Sequence, residues 1–344
     1  VEGSFTLVKG DSGWRGFIDF KGKSRRAVQE IEWLGDNQVT FRVDTWMGET
    51  RPVLTINDDK LAGYFLLGNT RYPIDGKRLD AVPQGIQPTL PDAQQQNNLL
   101  GGEAALWAEN VAAPVIDIKL WPRAFAVAER LWSAEDVKDS DNMYQRLQAM
   151  DNWSTVSVGL QQHTQQLEQF TRLANSSHTL ALQILAEALE PAHYYTRQHL
   201  KFQANNYHQF EPLNRLADAL PAESDTVRSL NQWAERLISD AEDTESADAL
   251  RHVFTRWQNN SGDALALTDN NYQLAAIKPV VQQVDKLASL GLRLTDLVAR
   301  QGTLDDKEYA SIQAQLDTAA KTQDELVIAA VYPLEKLLRA TKIK

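Results

Sequence analysis

Residues 99–109 read LLGGEAALWAE, and residues 120–132 read LWPRAFAVAERLW. The first stretch is short and apolar, which predicts a strand over 103–109. In the second, apolar residues recur at three- and four-residue steps, and Pro122 is tolerated at the first position of a helix. The two stretches together predict one strand–helix unit within 99–135.

Trp107 and Glu109 are the side chains of this unit that we single out for chemistry. Successive side chains of a strand point to opposite faces, so two residues separated by one share a face. An indole stacks on the apolar side of a pyranose ring, and a carboxylate accepts strong hydrogen bonds from two neighbouring hydroxyls. The pair therefore favours a sugar pocket. The alternative interpretation is a core tryptophan beside a solvated glutamate.

The segment before this unit is typical of antiparallel strands. Residues 4–80 alternate apolar and polar positions and are interrupted by Gly, Asn and Asp turns, which predicts a meander or small barrel over 1–80. Trp14, Trp33 and Trp46 are expected in its core, with a sugar-binding surface as the alternative. Residues 81–98, rich in Pro, Gln and Asn, predict a linker.

The segment after the unit is typical of helices. We predict a multidomain α+β protein whose residues 136–344 form a C-terminal all-helical domain. The apolar periodicity predicts helices over 141–173, 178–190, 213–220, 225–241, 246–259, 272–300 and 304–342.

Composition excludes several classes of function. The chain has no cysteine, which excludes disulfides, thiolate zinc sites and cysteine nucleophiles, and its six histidines lack metal-site spacing. We expect no metal and no cofactor. A net charge of −11 disfavours nucleic acid as a partner, and no segment is apolar enough to predict a membrane span.

The pattern Gly-Gly-Glu-Ala-x-x-Trp-x-Glu, followed by Trp-Pro-Arg-Ala-x-Ala-x-Ala-Glu-Arg-Leu-Trp, resembles the last strand and helix of the (β/α)8 barrel in family 20 β-N-acetylhexosaminidases. Residues 99–133 carry this resemblance. The stretch FEPLNRLAD at 210–218 is similar to the C-terminal extension of bacterial members. The resemblance implies a glycoside hydrolase that acts on terminal N-acetylglucosamine or N-acetylgalactosamine.

The resemblance also implies roles for single residues. Trp107 would line the pocket of the terminal sugar, and Glu109 would bind the hydroxyls far from the scissile bond. Glu103 would lie deeper as a structural residue. Arg123, Glu129 and Arg130, on the helix, are expected to form an ion-pair or capping network instead of contacting substrate, and these three residues are not assigned to the pocket.

Family members cleave by substrate assistance, in which the acetamido oxygen attacks the anomeric carbon and an Asp-Glu pair supports it. The His-x-Gly-Gly-Asp-Glu motif that carries this pair does not occur in the sequence. The pair Asp324-Glu325 is expected on an exposed helix surface. Tyr72 and Asp75 differ in spacing from the family's acetamido-binding element. We therefore assign no catalytic residue and expect the chain to be inactive alone.

Two hypotheses follow for the whole chain. In the first, the chain is part of a hexosaminidase whose partner is the missing N-terminal barrel segment and whose substrate is an N-acetylated sugar. The second is a non-catalytic carbohydrate-binding or scaffold module. The resemblance implies a periplasmic or secreted location.

Overall fold

The structure is a computed structural model that describes residues 2–10, 13–35, 37–45, 48–67, 70–87, 98, 100–134 and 136–342. The chain divides into two compact units, Val1–Gly101 and Gly102–Lys344. The predicted domain boundaries at 80, 98 and 135 remain predictions. Among the described residues, no helix is both long and apolar enough to cross a membrane.

The first unit is an antiparallel sheet. Its strands are β1 (Gly3–Gly10), β2 (Gly13–Phe20), β3 (Arg26–Trp33), β4 (Gln38–Thr45), β5 (Gly48–Thr50), β6 (Val53–Asn57), β7 (Lys60–Leu67) and β8 (Thr70–Lys77). They pair in the order β1-β2-β3-β4-β6-β7-β8, and β5 pairs with β4. This confirms the predicted antiparallel meander.

The sheet curls so that distant strands share one apolar core. Phe5 of β1 stacks on Phe41 of β4 with ring centroids 4.6 Å apart, and Phe20 of β2 lies 6.3 Å from Phe65 of β7. Trp14 and Trp33 contact each other at 5.4 Å, and Trp33 packs against this core. Trp46 lies outside the described residues.

The beginning of the predicted linker is held against the sheet. Arg25 forms an ion pair with Asp19 at 2.8 Å and donates a second hydrogen bond to the carbonyl of Pro83 at 2.9 Å. The backbone N–H of Arg25 also donates to the carbonyl of Ile86. Residues 83–86 therefore belong to the packed unit, whereas 88–97 of the predicted linker lie outside the described residues.

The second unit is mainly helical. Its helices are α1 (Ile116–Leu120), α2 (Arg123–Trp132), α3 (Ser140–Trp153), α4 (Gln162–Ala174), α5 (Leu180–Ala186), α6 (Tyr194–Gln203), α7 (Leu216–Ala219), α8 (Asp225–Ser239), α9 (Thr244–Asn270), α10 (Lys278–Ala299), α11 (Asp306–Ala319) and α12 (Val331–Ala340). Strands β9 (Leu189–Pro191) and β10 (Leu326–Ile328) form a small antiparallel pair. The predicted helical C-terminal region is confirmed.

The long helices α9 and α10 are the centre of the helical core. Their close approach depends on Gly291 of α10, since a Cβ there would lie 2.7 Å from the ring of Phe254 of α9. Trp257, one turn further along α9, is buried and donates to Glu187 at 3.3 Å. A side chain larger than hydrogen at 291 would therefore separate the two helices.

Two of the predicted helices were too long. The helix predicted over 141–173 is divided by a π-helical turn at Ser154–Val158 and by Gly159, whose φ of 78° lies in the left-handed region. The helix predicted over 304–342 is divided by β10. Before β10 the chain turns through Asp324 and Glu325, which have φ values of 46° and 65°. Left-handed residues end a right-handed helix.

The predicted strand over 103–109 is not present, and this corrects the strand half of the strand–helix unit. Residues 101–108 have no regular structure and are exposed. A strand exists only through ladder partners, and among the described residues this segment has none. The helix of the unit is present as α2, so only the helix was correctly predicted.

Candidate functional site

The candidate site lies on the irregular segment between Gly101 and α1. Trp107 is 73% exposed, and Glu109 at the start of the following turn is exposed as well. A large indole so exposed is uncommon in an isolated folded unit and indicates a contact surface. Glu103 is exposed too, so the expectation of a deeper structural position is not met in this chain.

The backbone approaches helix α2 closely at one point of this segment. A Cβ added at Gly102 would lie 3.1 Å from Leu131 of α2. The segment therefore lies against the end of α2 at this point.

Helix α2 buries none of its residues although its sequence is strongly amphipathic. Its apolar residues include Val127, Leu131 and the 93% exposed Trp132. Apolar side chains gathered on one helix face are normally covered by packing. The face is therefore a second uncovered surface next to the candidate site.

The charged residues of α2 contact protein groups. Arg123 pairs with Glu223 at 2.9 Å, and Glu129 pairs with Arg146. Arg130 donates to three backbone carbonyls, those of Ser133, Ala134 and Val137, at 3.3, 2.8 and 2.6 Å. The structure thus shows the ion-pair and capping network predicted for these residues.

The residues after Glu109 connect the segment to the helical domain. Asn110 is 4% exposed, and neither atom of its side-chain amide has a hydrogen-bond partner in the described part of the chain. Asp117 of α1 accepts from the backbone N–H of Gln161 at 2.8 Å, and its own N–H donates to Gln165 at 3.0 Å. Helix α1, which follows the segment, is therefore attached to the start of α4.

Lys119 of α1 makes the deepest of these connections. Its ammonium donates to the carbonyls of Ala217 and Leu220 at 3.1 and 2.6 Å. Burial, with repulsion from the charge of Arg197, lowers the pKa of Lys119 to about 7, although the charge of Asp218 opposes this. A neutral amine still has two N–H donors, enough for both carbonyls.

A group of charged residues lies buried behind Lys119. Arg197 donates to Asp218 at 2.5 Å and to Glu325 at 2.8 Å, and Lys201 pairs with Glu325 at 3.0 Å. Side-chain exposure is 5% for Arg197 and 2% for Glu325. We define the buried charge cluster as Arg197, Lys201, Asp218 and Glu325 together with four charged neighbours. These neighbours are Lys119, Glu211, Arg215 and Asp324.

The expectation that Asp324-Glu325 lies on an exposed helix was wrong. The pair lies in the turn before β10, where Arg215 holds Asp324 at 2.6 Å and three cations surround Glu325. Burial raises the pKa of Asp324, and the charge of Arg215 opposes the rise. The negative charges of Asp324 and Glu325 are therefore balanced by Arg and Lys side chains of the fold.

Two tyrosines of the helical domain form a hydrogen-bonded pair that the sequence had not singled out. The hydroxyl of Tyr194 is 3.4 Å from that of Tyr207. The hydrogen bond with Tyr207, burial and the negative charge of Glu109 all raise the pKa of Tyr194. No motif signals the electrostatic effect of Glu109 on Tyr194, because the two residues are 85 positions apart along the chain.

Other candidate positions do not join this site. Tyr72 and Asp75 lie on β8 of the first unit, where Asp75 is exposed and Tyr72 is partly buried. Within the ranges that the structure describes, no group of three His, Asp or Glu residues could hold a metal ion.

One segment of the chain is similar to a known family of enzymes. Residues 72–135 match the catalytic domain of glycosyl hydrolase family 20. This segment contains the candidate site and α2, so that part of the chain resembles a family 20 catalytic domain.

Its relatives are β-hexosaminidases. The Homo sapiens β-hexosaminidase subunit beta is 54% identical over 54 residues, which are 16% of this chain and 10% of the relative. The Mus musculus subunit alpha is 32% identical over 162 residues, 39% of this chain and 30% of the relative. The chain thus spans less than a third of the length of these relatives.

A solved structure supports the fold. The chain is similar to Flavobacterium johnsoniae chitobiase with a TM-score of 0.62 and 22% identity, over 75% of this chain and 37% of the other. The similarity extends well beyond the 64 residues that match the catalytic domain. The curled sheet and the helical region therefore form an architecture already known from that protein.

Proposed function

We propose that the chain is part of a β-N-acetylhexosaminidase that removes terminal N-acetylglucosamine or N-acetylgalactosamine by substrate-assisted, retaining hydrolysis. The observation that carries the proposal is the catalytic-domain match over residues 72–135, which contains Trp107 and Glu109. In such a reaction the substrate's acetamido oxygen attacks the anomeric carbon, and water then hydrolyses the cyclic intermediate. Configuration is retained because the anomeric carbon is inverted twice.

In this proposal Trp107 and Glu109 bind the terminal sugar. The indole provides an apolar surface for the C–H face of the ring, and the carboxylate accepts hydrogen bonds from hydroxyls far from the scissile bond. Both side chains are exposed and only one residue separates them along the chain, which supports their availability to a ligand. Neither is proposed to transfer a proton or to attack the sugar.

The proposed partner is the remaining segment of the barrel. Residues 101–107 belong to no ladder among the described residues, and a neighbouring barrel strand would provide one for them. The apolar face of α2, with Leu131 and Trp132, would be covered by the same segment. That segment would also supply the Asp-Glu pair, since no His-x-Gly-Gly-Asp-Glu motif occurs in this sequence.

The first experiment measures hydrolysis of a chromogenic N-acetylglucosaminide. We expect no turnover by the chain alone and turnover once the remaining barrel segment is added or fused. Clear turnover by the chain alone would show that it contains its own acid/base group. No co-elution and no activity after mixing would contradict the proposed partner.

The second experiment tests the sugar-binding pair in the complete enzyme. Glu109→Gln and Trp107→Ala should each raise KM more than they lower kcat, by about ten-fold or more, since one charged hydrogen bond or one stacking surface is lost. Glu103→Gln is the matched control, because Glu103 is exposed on the same segment. Equal effects of the three variants would contradict the assignment.

The second candidate function is a non-catalytic carbohydrate-binding or scaffold module. It is favoured by the sequence, which contains no acid/base motif of the family. A shift in tryptophan fluorescence on adding N-acetylglucosamine, without any rescue of activity by the barrel segment, would support it. For the enzyme, a periplasmic or secreted location is proposed, and fractionation of cells with an antibody to the chain would test it.

A further inference from the structure

Helix α6 has its charged residues inside and aromatic residues outside. Arg197 and Lys201, one turn apart, are buried and belong to the buried charge cluster. On the other side of the helix, Tyr195, His199 and Phe202 follow at steps of four and three residues and are exposed. A surface helix normally buries its apolar residues and exposes its charges. The arrangement of α6 is therefore the reverse of the usual one.

The loop that follows α6 is fixed against the helix. The hydroxyl of Tyr207 lies 3.4 Å from that of Tyr194, at the start of α6. Glu211, just after the loop, pairs with the buried Lys201 at 3.5 Å. Residues 204–210 therefore extend the exposed surface of α6 as part of the same packed unit.

The exposed part of this segment is aromatic and uncharged. From Tyr194 to Phe210, all of which the structure describes, the Asp, Glu, Lys and Arg residues are Arg197 and Lys201 alone, and both are buried. Phe202 and Phe210 are 66% and 80% exposed. We define the α6 surface by six exposed residues of this segment, which are Tyr195, His199, Phe202, Gln203, Gln209 and Phe210.

Neighbouring rings hold two of these aromatic side chains in place. The ring of Tyr195 lies 5.3 Å from that of Tyr194, edge to face, and 5.5 Å from that of His193. The ring of Phe210 lies 6.4 Å from His208, whose Nδ1 accepts the backbone N–H of Phe210 at 3.2 Å. Side chains that are already ordered lose less conformational entropy when a ligand binds.

We propose that the α6 surface binds a neutral, extended glycan chain, with sugar rings stacked on Tyr195 and Phe202. Aromatic rings pack on the apolar C–H side of a sugar, and the amides of Gln203 and Gln209 can both donate to and accept from its hydroxyls. Seven residues of α-helix span about 10 Å. This separation is close to the length of two sugar units in a β-1,4-linked chain. The choice of N-acetylglucosamine as the sugar rests on the proposed function.

A glycan fits the α6 surface better than a protein partner does. The uncovered face of α2 is apolar, with Val127, Leu131 and Trp132, and suits burial by protein. On the α6 surface the aromatic residues are instead accompanied by histidine and glutamine side chains. Burying such polar groups costs free energy unless each finds a hydrogen-bond partner. A polyhydroxylated chain provides a donor or acceptor along its whole length.

The test is isothermal titration calorimetry of this chain with the soluble hexamer of N-acetylglucosamine. The hexamer should bind about ten-fold or more tightly than the monosaccharide, because only a chain contacts both rings. Tyr195→Ala and Phe202→Ala should each weaken hexamer binding by about five-fold or more, the usual loss for an important aromatic contact. The affinity should not change with salt, since the α6 surface has no Asp, Glu, Lys or Arg residue.

Tyr272→Ala is the matched control, because Tyr272 is an 88% exposed aromatic residue outside the α6 surface. It should leave the affinity unchanged, and the melting temperature should be the same in all variants, since exposed side chains add little to stability. Unchanged affinity in Tyr195→Ala and Phe202→Ala would overturn the inference. So would a dimer that Phe202→Ala dissociates, or co-elution with the remaining barrel segment that Phe202→Ala abolishes, because protein would then cover the surface.

Variants of the proposed pocket separate this inference from the proposed function. If Trp107→Ala abolishes hexamer binding and the two α6 variants do not affect it, the oligomer binds at the proposed pocket alone and the α6 surface is refuted. If binding depends on Tyr195 and Phe202 while the assembled enzyme hydrolyses no chromogenic N-acetylglucosaminide, the proposed function fails and the α6 surface stands.

Discussion

Replacing Arg197 with methionine tests whether the buried charge cluster holds the helical domain together. The substitution keeps most of the apolar stem of the side chain and removes the guanidinium that contacts Asp218 and Glu325. Both carboxylates stay buried, since their side chains are 2% exposed. Asp218 would then lose its ion pair, and Glu325 would keep only Lys201 at 3.0 Å and Arg215 at 3.5 Å.

The expected loss of stability follows from desolvation. Removing one partner of a buried ion pair usually lowers the free energy of unfolding by about 3–5 kcal/mol, because the remaining charge has neither water nor a counter-ion. The turn at Asp324 and Glu325 adds to the effect, since two consecutive non-glycine residues have positive φ there. Such strain of about 1–3 kcal/mol per residue persists only while surrounding contacts hold it.

The assay is urea denaturation followed by tryptophan fluorescence, to which the buried Trp257 of the helical core contributes. For a slope of about 3 kcal/mol per molar urea, the midpoint should fall by roughly 1–1.7 M. Arg251→Met is the matched control: Arg251 pairs with Asp248 and Asp296, both at 2.8 Å, on the exposed surface. Its loss should be below about 1 kcal/mol.

Equal midpoints for Arg197→Met and Arg251→Met would refute the reasoning. A double substitution offers a further check, because Asp218→Asn in the Arg197→Met background removes the carboxylate that has lost its ion pair. Part of the lost stability should return in that variant. A further loss of the full size would contradict the electrostatic explanation.

Three further variants test other features of the structure by thermal or urea denaturation. Gly63→Ala should destabilise the sheet by about 2 kcal/mol or more, because a Cβ would lie 2.0 Å from a backbone carbonyl of the adjacent strand; Gly76→Ala, with its nearest contact at 3.8 Å, is the control. The hydrogen bond from His163 to Asp151 raises the pKa of the histidine. Burial alone would raise the pKa of the Asp151 carboxyl, but the same hydrogen bond helps to lower it. The pair therefore stabilises the fold most between about pH 4 and 6.5, and this contribution is lost as the pH rises through the raised pKa of the histidine. His163→Gln should lower the free energy of unfolding by under about 1 kcal/mol at pH 5.5 and by almost nothing at pH 8.5. Lys119, with its pKa lowered to about 7, is neutral in the folded state and protonated in the unfolded state between about pH 7 and 10.4; stability should rise with pH over that window in the wild type and not in Lys119→Met.

The spacing of apolar residues and the positions of turn-forming residues predicted most of the fold. Alternation with Gly, Asn and Asp turns identified the antiparallel strands, and apolar spacing identified α2, α8, α9 and α10. The sequence did not predict the helix ends that depend on the backbone conformation of a single residue, such as Gly159. A residue of this kind does not disturb the apolar period. The strand over 103–109 was wrong because a strand needs partners, and one segment's pattern does not contain them.

The candidate site was only partly accessible from the sequence. Trp107 and Glu109 stand in a motif and could be named as candidates. The pairing of Tyr194 with Tyr207 is produced by tertiary packing and has no signal in the sequence. The pair Asp324-Glu325 was misplaced because adjacent charges in a helical pattern are normally solvated. One signal existed, since Glu211, Arg215 and Asp218 of the same buried charge cluster all lie in the stretch 210–218 that the resemblance had already marked.

The uncovered face of α2 gives the chain an intrinsic optical signal. Trp132 is 93% exposed, and Trp107 on the neighbouring segment is 73% exposed, so both indoles emit from water. Seven other tryptophans contribute a constant background if the rest of the fold is unchanged. Covering α2 and the segment with further protein would shift the emission to shorter wavelength, so assembly could be followed in real time without a label.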